Sequence, residues 1–332
     1  MFVLQCRNVQ QVLPHAIKLL QVAGVSRKSR AGDVLVAPGP VTTLYERPDE
    51  RVLFWPERDA NPFFHLMESL WMVAGRDDAA WLARYNARIG QFAEDDGRFH
   101  GAYGKRWRSW FGIDQIEIAS RMLRDDPVTR RVMLQMWSSL ADLGATKRDL
   151  PCNSMIHLQR NPADERLDMT VFCRSNDVLW GCYGSDSFNL SFVQEYVAAR
   201  AGIPAGRYWQ VSDNWHGYLD TVSSIFDMPA MDDPYERGEV AAFPLVQDPK
   251  AWEADLGMFM SEGIRAIGYR EPFFRKVAIP MARAWDAFKT DSPQRHLDAI
   301  GEITACMASD LRRAGREWLE RKRDRWLTTR KR

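Results

Sequence analysis

Cys152 stands between a proline and an asparagine in Leu150-Pro151-Cys152-Asn153, and its thiol is the first candidate nucleophile of the chain. A thiolate can form a covalent adduct with a substrate, which splits one difficult step into two easier ones. A lone cysteine is more often a small, buried apolar residue, so its type alone does not establish this role. Chemistry at Cys152 therefore requires further polar groups that the fold brings to the same place.

Such groups stand at the end of a predicted partner strand. The runs Ser154 to Leu158 and Leu167 to Phe172 both alternate polar and apolar residues across a turn at 161–164, which predicts a β-hairpin. The second strand leads into Cys173-Arg174-Ser175-Asn176-Asp177. A guanidinium beside a thiol lowers the thiol's pKa from its usual value of about 8.5. We therefore expect Arg174 to activate Cys152.

Predicted helices supply further polar groups. Asn61-Pro62 has the capping pattern of a helix start, and the helix predicted over Phe63 to Gly75 carries Glu68 beside its apolar face. Gly101 to Trp110 is predicted as a loop rich in glycine, aromatic and basic residues. The short basic segment Gly24 to Gly32 is either a solvated loop or a mobile loop that closes over an anion. Other helices are predicted at 9–22, 77–89, 114–124 and 192–201.

The composition limits the class of protein. The chain has 332 residues, 45% hydrophobic and 27% charged, which is typical of a globular protein. Its formal charge of +1 creates no global field that would recruit nucleic acid or a membrane surface. Five scattered cysteines indicate a reducing compartment, and no cysteine or histidine spacing is that of a metal site. We therefore expect a cytoplasmic protein without a metal, a signal peptide or a membrane span.

The domain organisation follows from a change in composition near residue 230. Residues 1–230 mix strand and helix patterns and should form the catalytic core, whereas residues 231–332 are mainly helical after a loop-like stretch. We expect this C-terminal extension to pack on the same domain.

Six segments together resemble the folate-dependent thymidylate synthase family, which includes the pyrimidine nucleotide hydroxymethylases. The resemblance covers residues 61–218, and the order and spacing of the segments make it specific. The segments are Gly101-Ala102-Tyr103-Gly104-Lys105-Arg106-Trp107, Asp126-Pro127-Val128-Thr129-Arg130-Arg131, Leu150-Pro151-Cys152, Arg174-Ser175-Asn176-Asp177 with Gly181, Phe188-Asn189, and His216-Gly217-Tyr218.

The resemblance implies an α/β (α+β) fold of three layers, with a central mixed sheet flanked by helices. It also implies that Cys152 adds to C6 of a pyrimidine nucleotide, which makes C5 nucleophilic enough to take a one-carbon unit. Arg174 would grip the 5′-phosphate together with Arg130 and Arg131. In the family that arginine pair comes from the other subunit, so a homodimer with shared active sites is expected. Arg27, slightly favoured over Arg30, would close over the phosphate.

The same resemblance assigns further catalytic roles. Glu68 would organise water and proton transfer at O4 and C5 of the base, and Tyr103 would help to position the proton that leaves C5. Asn189 both donates and accepts hydrogen bonds, which suits the O4 and N3 edge of uracil. A cytosine reader is more often acidic in this family.

Ligand-binding roles complete the expected site. His216 and Tyr218 would bind the ribose 3′-hydroxyl, and Ser175 beside Arg174 favours a deoxyribonucleotide. Asp177, with Gly181 nearby, would hold the pterin of the co-substrate 5,10-methylenetetrahydrofolate.

Departures from the family pattern bear on the product. Asn153 replaces the histidine that usually follows the cysteine, and Ile89-Gly90-Gln91-Phe92 lacks the tryptophan that packs beside the reacting carbon. The segment Cys182 to Ser187 is longer than usual, and a long helical extension replaces the short apolar tail. Loss of a bulky ring and of a sealing tail admits water, which adds to the exocyclic methylene as a hydroxyl. These variants are typical of phage-encoded members.

The leading hypothesis is therefore conversion of dUMP to 5-hydroxymethyl-dUMP. Thymidylate synthase, which makes dTMP, is the nearest alternative, followed by a dCMP or CMP hydroxymethylase. A non-catalytic, nucleotide-binding relative is the alternative from another class. A cysteine hydrolase has less support, because His157 lies five positions along the alternating strand and so on its opposite face.

Overall fold

A computed structural model of the chain describes residues 1–229 and 231–330. Within that part, the strands form one mixed sheet in the order β1-β4-β8-β7-β6-β5, with β3 paired to β8 and β2 to β3. The pairs β1–β4 and β7–β8 are parallel, and the others are antiparallel. The strands are β1 (Phe2–Cys6), β2 (Val25–Ser29), β3 (Gly32–Val36), β4 (Val41–Tyr45), β5 (Met133–Gln135), β6 (Asn153–Arg160), β7 (Leu167–Asp177) and β8 (Ala205–Tyr218).

Helices flank this sheet, which confirms the predicted α/β class. The α-helices of the described part are α1 (Val9–Ala23), α2 (Pro62–Val73), α3 (Ala79–Ala83), α4 (Tyr103–Lys105), α5 (Gln115–Asp125), α6 (Ser187–Ala201), α7 (Leu219–Val222), α8 (Pro249–Glu262), α9 (Ile279–Phe288), α10 (Arg295–Ile303) and α11 (Ser309–Arg330). Shorter 3₁₀ or π-helical segments are Ala87–Phe92, Arg106–Trp110, Val178–Asp186, Ser223–Ile225, Gly263–Arg265 and Phe274–Ala278. No helix there is long and apolar enough to cross a membrane.

The two elements that carry most of the predicted chemistry are confirmed. The hairpin pairs β6 with β7, for instance Ile156 with Val171. Helix α2 begins after Asn61, whose side chain accepts hydrogen bonds from the N–H groups of Phe63 and Phe64, with a proline in the first turn. These contacts satisfy backbone donors that a helix start otherwise leaves unpaired.

Three predictions of local structure were wrong. Residues 77–89 do not form one helix, because Asn86 caps a separate 3₁₀ segment, Ala87–Phe92, with its side chain. The predicted loop 101–110 is helical instead: Gly104 lies so close to α2 that a Cβ would be 1.8 Å from the carbonyl oxygen of Met72. The basic segment 24–32 is a β-hairpin arm, β2–β3, that extends the sheet through pairing of β3 with β8.

The C-terminal helices share the hydrophobic core of the preceding residues. Trp285 and Trp318 both pack against Phe63 of α2, with ring centroids 5.6 and 5.7 Å away. The Trp285 indole N–H also donates a hydrogen bond to the carbonyl of Arg84. The predicted boundary near residue 230 stays a prediction, and Ala230 itself lies outside the described residues.

The regular alternation of side chains is interrupted in three neighbouring strands, at the same level of the sheet. The register of β6 shifts between Asn153 and Met155. The buried side of β7 changes from odd to even positions between Cys173 and Asn176, and β8 changes between Ser212 and Trp215. Such irregularities bend strands and redirect side chains. They occur where Cys152 enters the sheet.

Candidate active site

Cys152 lies exposed at the N-terminal entrance of β6, and Tyr103 fixes the backbone there. The Tyr103 hydroxyl accepts hydrogen bonds from the N–H groups of Cys152 (3.2 Å) and Asn153 (3.1 Å). It also accepts one from the Asn153 side-chain amide. Its own proton has no acceptor among the described residues and is available to a ligand.

Arg174 clasps the same turn from β7. Its Nε donates to the carbonyl of Pro151 at 2.8 Å, and Nη2 to that of Leu150 at 3.3 Å. The guanidinium also lies over the Trp137 ring, 5.3 Å from its centroid. Arg174 is therefore positioned to hold an anion beside Cys152.

The Arg174 guanidinium lowers the pKa of the Cys152 thiol, in the expected direction, but it does not act alone. Crowding of the thiol by its neighbours raises its pKa to about 11, although Arg174 acts in the opposite direction. The carboxylates of Asp186 and Asp149 raise this pKa further. Desolvation outweighs one guanidinium here, so the free thiol is mostly protonated near neutral pH.

Glu68 of α2 and Asn189 of α6 are joined by a hydrogen bond. The Asn189 amide Nδ2 donates to Glu68 Oε2 at 2.7 Å, and its Oδ1 accepts from the Ser69 hydroxyl at 2.6 Å. Burial raises the pKa of Glu68 to about 7, and the nearby charge of Asp186 adds to this rise. A carboxyl group with such a pKa exchanges protons readily near neutral pH.

Asn153, the residue in place of the family's histidine, belongs to a buried polar network. Its Oδ1 accepts from the Gln210 amide at 3.1 Å, and its Nδ2 donates to Asp186 Oδ1 at 3.1 Å. Tyr208 in turn donates to Gln210. Burial raises the pKa of Asp186 to about 6. The network holds the residue next to the nucleophile in one orientation.

Asp177, His216 and Tyr218 lie together at the ends of β7 and β8. Asp177 pairs with His216 across the two strands, and the Tyr218 ring centroid is 5.4 Å from that of His216. Asp177 Oδ1 accepts the N–H groups of Leu179 and Trp180, whereas its buried Oδ2 has no hydrogen-bond partner among the described residues.

Gly181 and Ser175 lie close to these groups. A Cβ on Gly181 would be 2.4 Å from the Asn176 side-chain oxygen, so only glycine leaves that amide in place. Ser175 on β7 pairs with Asn214 of β8.

The β2–β3 arm reaches the same corner of the site. Tyr218 pairs with Val34, which pairs with Arg27, so Arg27 and Tyr218 share a face of the sheet. Arg30, at the tip, lowers the pKa of Tyr218 by its charge, while burial raises that pKa overall. Both arginines are exposed. The arm therefore offers two cations beside the predicted ribose site.

Arg130 and Arg131 do not join the site of their own chain. Strand β5 runs antiparallel to β6 with Met133 opposite His157, which places Arg131 beside residue 159. That position is seven residues beyond 152, or about 23 Å at ~3.3 Å per residue. Both arginines are exposed and have no ion-pair partner among the described residues.

One cleft joins several of these polar groups to an apolar surface. Glu68, Tyr103, Asn189, Asp149 and Asp186 line it. Its apolar part consists of Trp71, Met72, Leu82, Ile89, Phe92 and Phe99.

Gly90 lies in the exposed segment between Ile89 and Phe92. A Cβ on Gly90 would have no heavy atom within 4 Å, so a side chain at this position would meet open space. The described residues contain no group of three or more His, Cys, Asp or Glu side chains that could hold a metal ion.

Two acidic residues of the cleft, Asp149 and Asp186, were missed by the sequence interpretation. Asp149 stands three positions before the nucleophile, and Asp186 lies within the extended segment before Phe188-Asn189. For Asp186, the available signal was its position in the lengthened segment directly before the Phe188-Asn189 motif.

Comparison with known proteins agrees with this site. The family model described as thymidylate synthase matches residues 59–269. The deoxyuridylate hydroxymethyltransferase of Pseudomonas phage M6 is 48% identical over 335 residues, covering 97% of this chain and 95% of that protein. The protein of the same name from Bacillus phage SP01 is 34% identical over 209 residues, covering 58% of this chain and 54% of that protein.

A bacterial relative is more distant. The thymidylate synthase of Corynebacterium aurimucosum is 30% identical over 174 residues, which is 49% of this chain and 62% of that protein. The family match spans more than half of the chain, and the similarity to the phage M6 protein spans nearly all of it. The chain belongs to the thymidylate synthase family.

Proposed function

We propose that the protein converts dUMP to 5-hydroxymethyl-dUMP, with 5,10-methylenetetrahydrofolate as the one-carbon donor. The observation that carries the proposal is the cleft that Tyr103, the hydrogen-bond partner of the Cys152 backbone, shares with the Glu68–Asn189 pair. The 48% identical phage protein named deoxyuridylate hydroxymethyltransferase supports the same reaction.

The residues present suit covalent catalysis at the pyrimidine. The Cys152 thiolate adds to C6, and the electron pair of the C5–C6 double bond makes C5 nucleophilic toward the one-carbon unit. Tyr103, which has a free hydroxyl proton, and Glu68, which has a pKa of about 7, handle the proton that leaves C5. Loss of that proton expels tetrahydrofolate from the one-carbon unit and leaves an exocyclic methylene on C5. Water then adds to this methylene, and the Cys152 thiolate is eliminated from C6 as the C5–C6 double bond re-forms.

The orientation of Asn189 favours uracil over cytosine. Glu68 takes one N–H of the amide, and Ser69 takes one lone pair of its oxygen. One N–H and one lone pair remain, which match O4 and the N3–H of uracil. Cytosine presents the reverse pattern, a donor at N4 and an acceptor at N3. A flipped amide would set its oxygen against Glu68 whenever that carboxyl group is ionised, so we expect dCMP to be the poorer substrate.

The site fits the folate donor, which supplies a one-carbon unit when bound. The apolar wall of the cleft offers a surface for a flat ring system. The unpaired Oδ2 of Asp177 offers an acceptor for ring N–H groups of a pterin. An uncompensated buried carboxylate oxygen is costly, so a ligand donor there would stabilise the folded enzyme.

A two-fold dimer would complete the phosphate site. Arg130 and Arg131 are about 23 Å along the sheet from Cys152 of the same chain. Arg131 precedes Met133 by two positions and so shares its exposed face of the sheet, where Phe172 is also exposed. Packing of two such faces would bury apolar surface and carry the arginine pair to the partner's nucleotide.

Mixed dimers test this arrangement. Each of the variants Arg131→Ala and Cys152→Ala should lose most activity alone, because each removes one half of a shared site. Mixing them after mild unfolding should restore activity to about one quarter of wild type, since half the dimers are mixed and each of these has one intact site. The measurement is product formation in the mixture. Absence of restored activity would place all the arginines of a site on one chain.

Product analysis tests the proposed reaction directly. The purified protein is incubated with dUMP, dCMP or CMP and the folate donor, and nucleotides are identified by mass. We expect 5-hydroxymethyl-dUMP from dUMP, without the absorbance rise of dihydrofolate. Equal amounts of dTMP and dihydrofolate would instead identify a thymidylate synthase.

Gly90 provides a test of water access. Gly90→Trp should place a bulky ring beside Ile89 and Phe92, which line the cleft, and reduce the access of water to the methylene. We expect the ratio of dTMP to hydroxymethyl product to rise at least about tenfold, which corresponds to ~1.4 kcal/mol between the two barriers. Gly257→Trp, at an exposed glycine of α8 with equally open surroundings, is the control. An unchanged ratio would show that residue 90 does not control water.

We also place the reaction in the cytoplasm. The thiol of Cys152 must remain reduced to act, and all five cysteines are free in the structure.

A further inference from the structure

Asp149 is a carboxylate at the mouth of the cleft for which the reaction described above has no role. Its Oδ2 accepts the N–H of Gly101 at 3.0 Å, and its Oδ1 has no donor among the described residues. A Cβ on Gly101 would be 2.9 Å from the Pro151 nitrogen and 3.0 Å from Asp149 Oδ2. Because Gly101 has no side chain, residues 149–151 can pack closely against it, and its N–H group holds the Asp149 carboxylate in place.

The surroundings place Asp149 where water would be needed. It lines the cleft with Ile89 and Phe92, which belong to the segment that lacks the family's tryptophan. Its charge also acts on the Cys152 thiol, so the carboxylate and the nucleophile are neighbours. Burial raises the pKa of Asp149, which strengthens its carboxylate as a proton acceptor.

From this geometry we infer that Asp149 is a catalytic residue that binds and deprotonates the water that adds to the methylene carbon. The inference rests on the proposed hydroxymethylation. Oδ1 accepts a proton from the water as its oxygen bonds to the methylene carbon. The methylene π pair moves into C5 and the C4 carbonyl as an enolate. Collapse of the enolate expels the Cys152 thiolate from C6, and Asp149 later returns its proton to solvent.

Asp149→Asn separates this step from earlier ones. The amide keeps an oxygen for the Gly101 N–H and loses only the basicity, so the fold should be retained. We expect hydroxymethyl-dUMP formation to fall about 100-fold, a usual effect of losing a general base. Exchange of the C5 hydrogen of dUMP with solvent, measured by NMR without folate, should stay within about threefold. An adduct of enzyme, nucleotide and methylene carbon should accumulate, visible by intact-protein mass spectrometry.

The control is Asp95→Asn, at an exposed carboxylate that forms an ion pair with Arg148, the residue before Asp149. Parallel loss of hydrogen exchange and product in Asp149→Asn would assign Asp149 a structural role and overturn the inference, as would unchanged product formation. Asp149→Ser, which leaves room for a second water, should fail in the same step. If the wild-type protein itself makes no hydroxymethyl-dUMP, the proposed function fails instead, which is a separate outcome.

Discussion

Cys152→Ala should abolish turnover, with product formation reduced at least about 10⁴-fold. Among the described residues no other thiol is exposed, because Cys173, Cys182 and Cys306 are buried and Cys6 is half-buried. Exchange of the C5 hydrogen with solvent should disappear as well, since it requires addition at C6. Binding of dUMP, measured by calorimetry, should change by less than about tenfold, because the nucleotide's phosphate and base contacts remain.

The matched control for this variant is Cys6→Ala, which removes a half-buried thiol distant from the cleft. It should retain wild-type exchange and turnover. Persistence of hydrogen exchange in Cys152→Ala would contradict covalent catalysis by this residue. If both variants bind dUMP with the same affinity as the wild-type protein and none of the three turns it over, the result would instead support a non-catalytic, nucleotide-binding relative.

The same thiol should react slowly with alkylating agents in the free enzyme. A pKa of about 11 leaves roughly one thiol in a thousand ionised at pH 8. The rate of alkylation of Cys152 by iodoacetamide should therefore rise about tenfold per pH unit from 7 to 10. Loss of the Arg174 guanidinium in Arg174→Met should slow it further, because that charge lowers the pKa. A rate that is flat above pH 8 would show that the thiol is already activated.

Local patterns were sufficient to predict the elements that carry the site. Alternation over 154–158 and 167–172 predicted the β6–β7 hairpin, and Asn61-Pro62 predicted the start of α2. Both depend on contacts between residues close in the chain, such as a cap or a turn. The family motifs then indicated which side chains on these elements face a ligand.

Long-range polar contacts could not be read from the sequence. Arg106 is fully buried, and Asp142, 36 positions away, accepts a hydrogen bond from its guanidinium at 2.6 Å, which compensates the buried charge. Asp186 meets Asn153 across 33 positions. The raised pKa of Cys152 likewise depends on desolvation by neighbours that only the folded chain brings around the thiol, and this effect opposes that of Arg174.

Glu68→Gln should separate catalysis from stability. Loss of the carboxylate removes proton transfer at the base, so kcat should fall about 10² to 10⁴-fold. In the wild-type enzyme, a group with a pKa of about 7 should give kcat/KM of the free enzyme a limb near that pH. The variant should lose this limb, while its affinity for dUMP changes little. The control is Glu57→Gln, at an exposed carboxylate just before α2.

The same variant, Glu68→Gln, should lose activity but gain folding stability at alkaline pH. Folding raises the pKa of Glu68 from 4.5 to about 7, so between these pH values the folded state binds more protons than the unfolded state. Stability therefore falls as pH rises through this window, and the group costs at most about 3 kcal/mol above pH 7. Glu68→Gln should then unfold at higher denaturant concentration than wild type at pH 8, with the difference shrinking toward pH 4.5. A variant less stable at pH 8 would mean that the carboxylate mainly supports the fold.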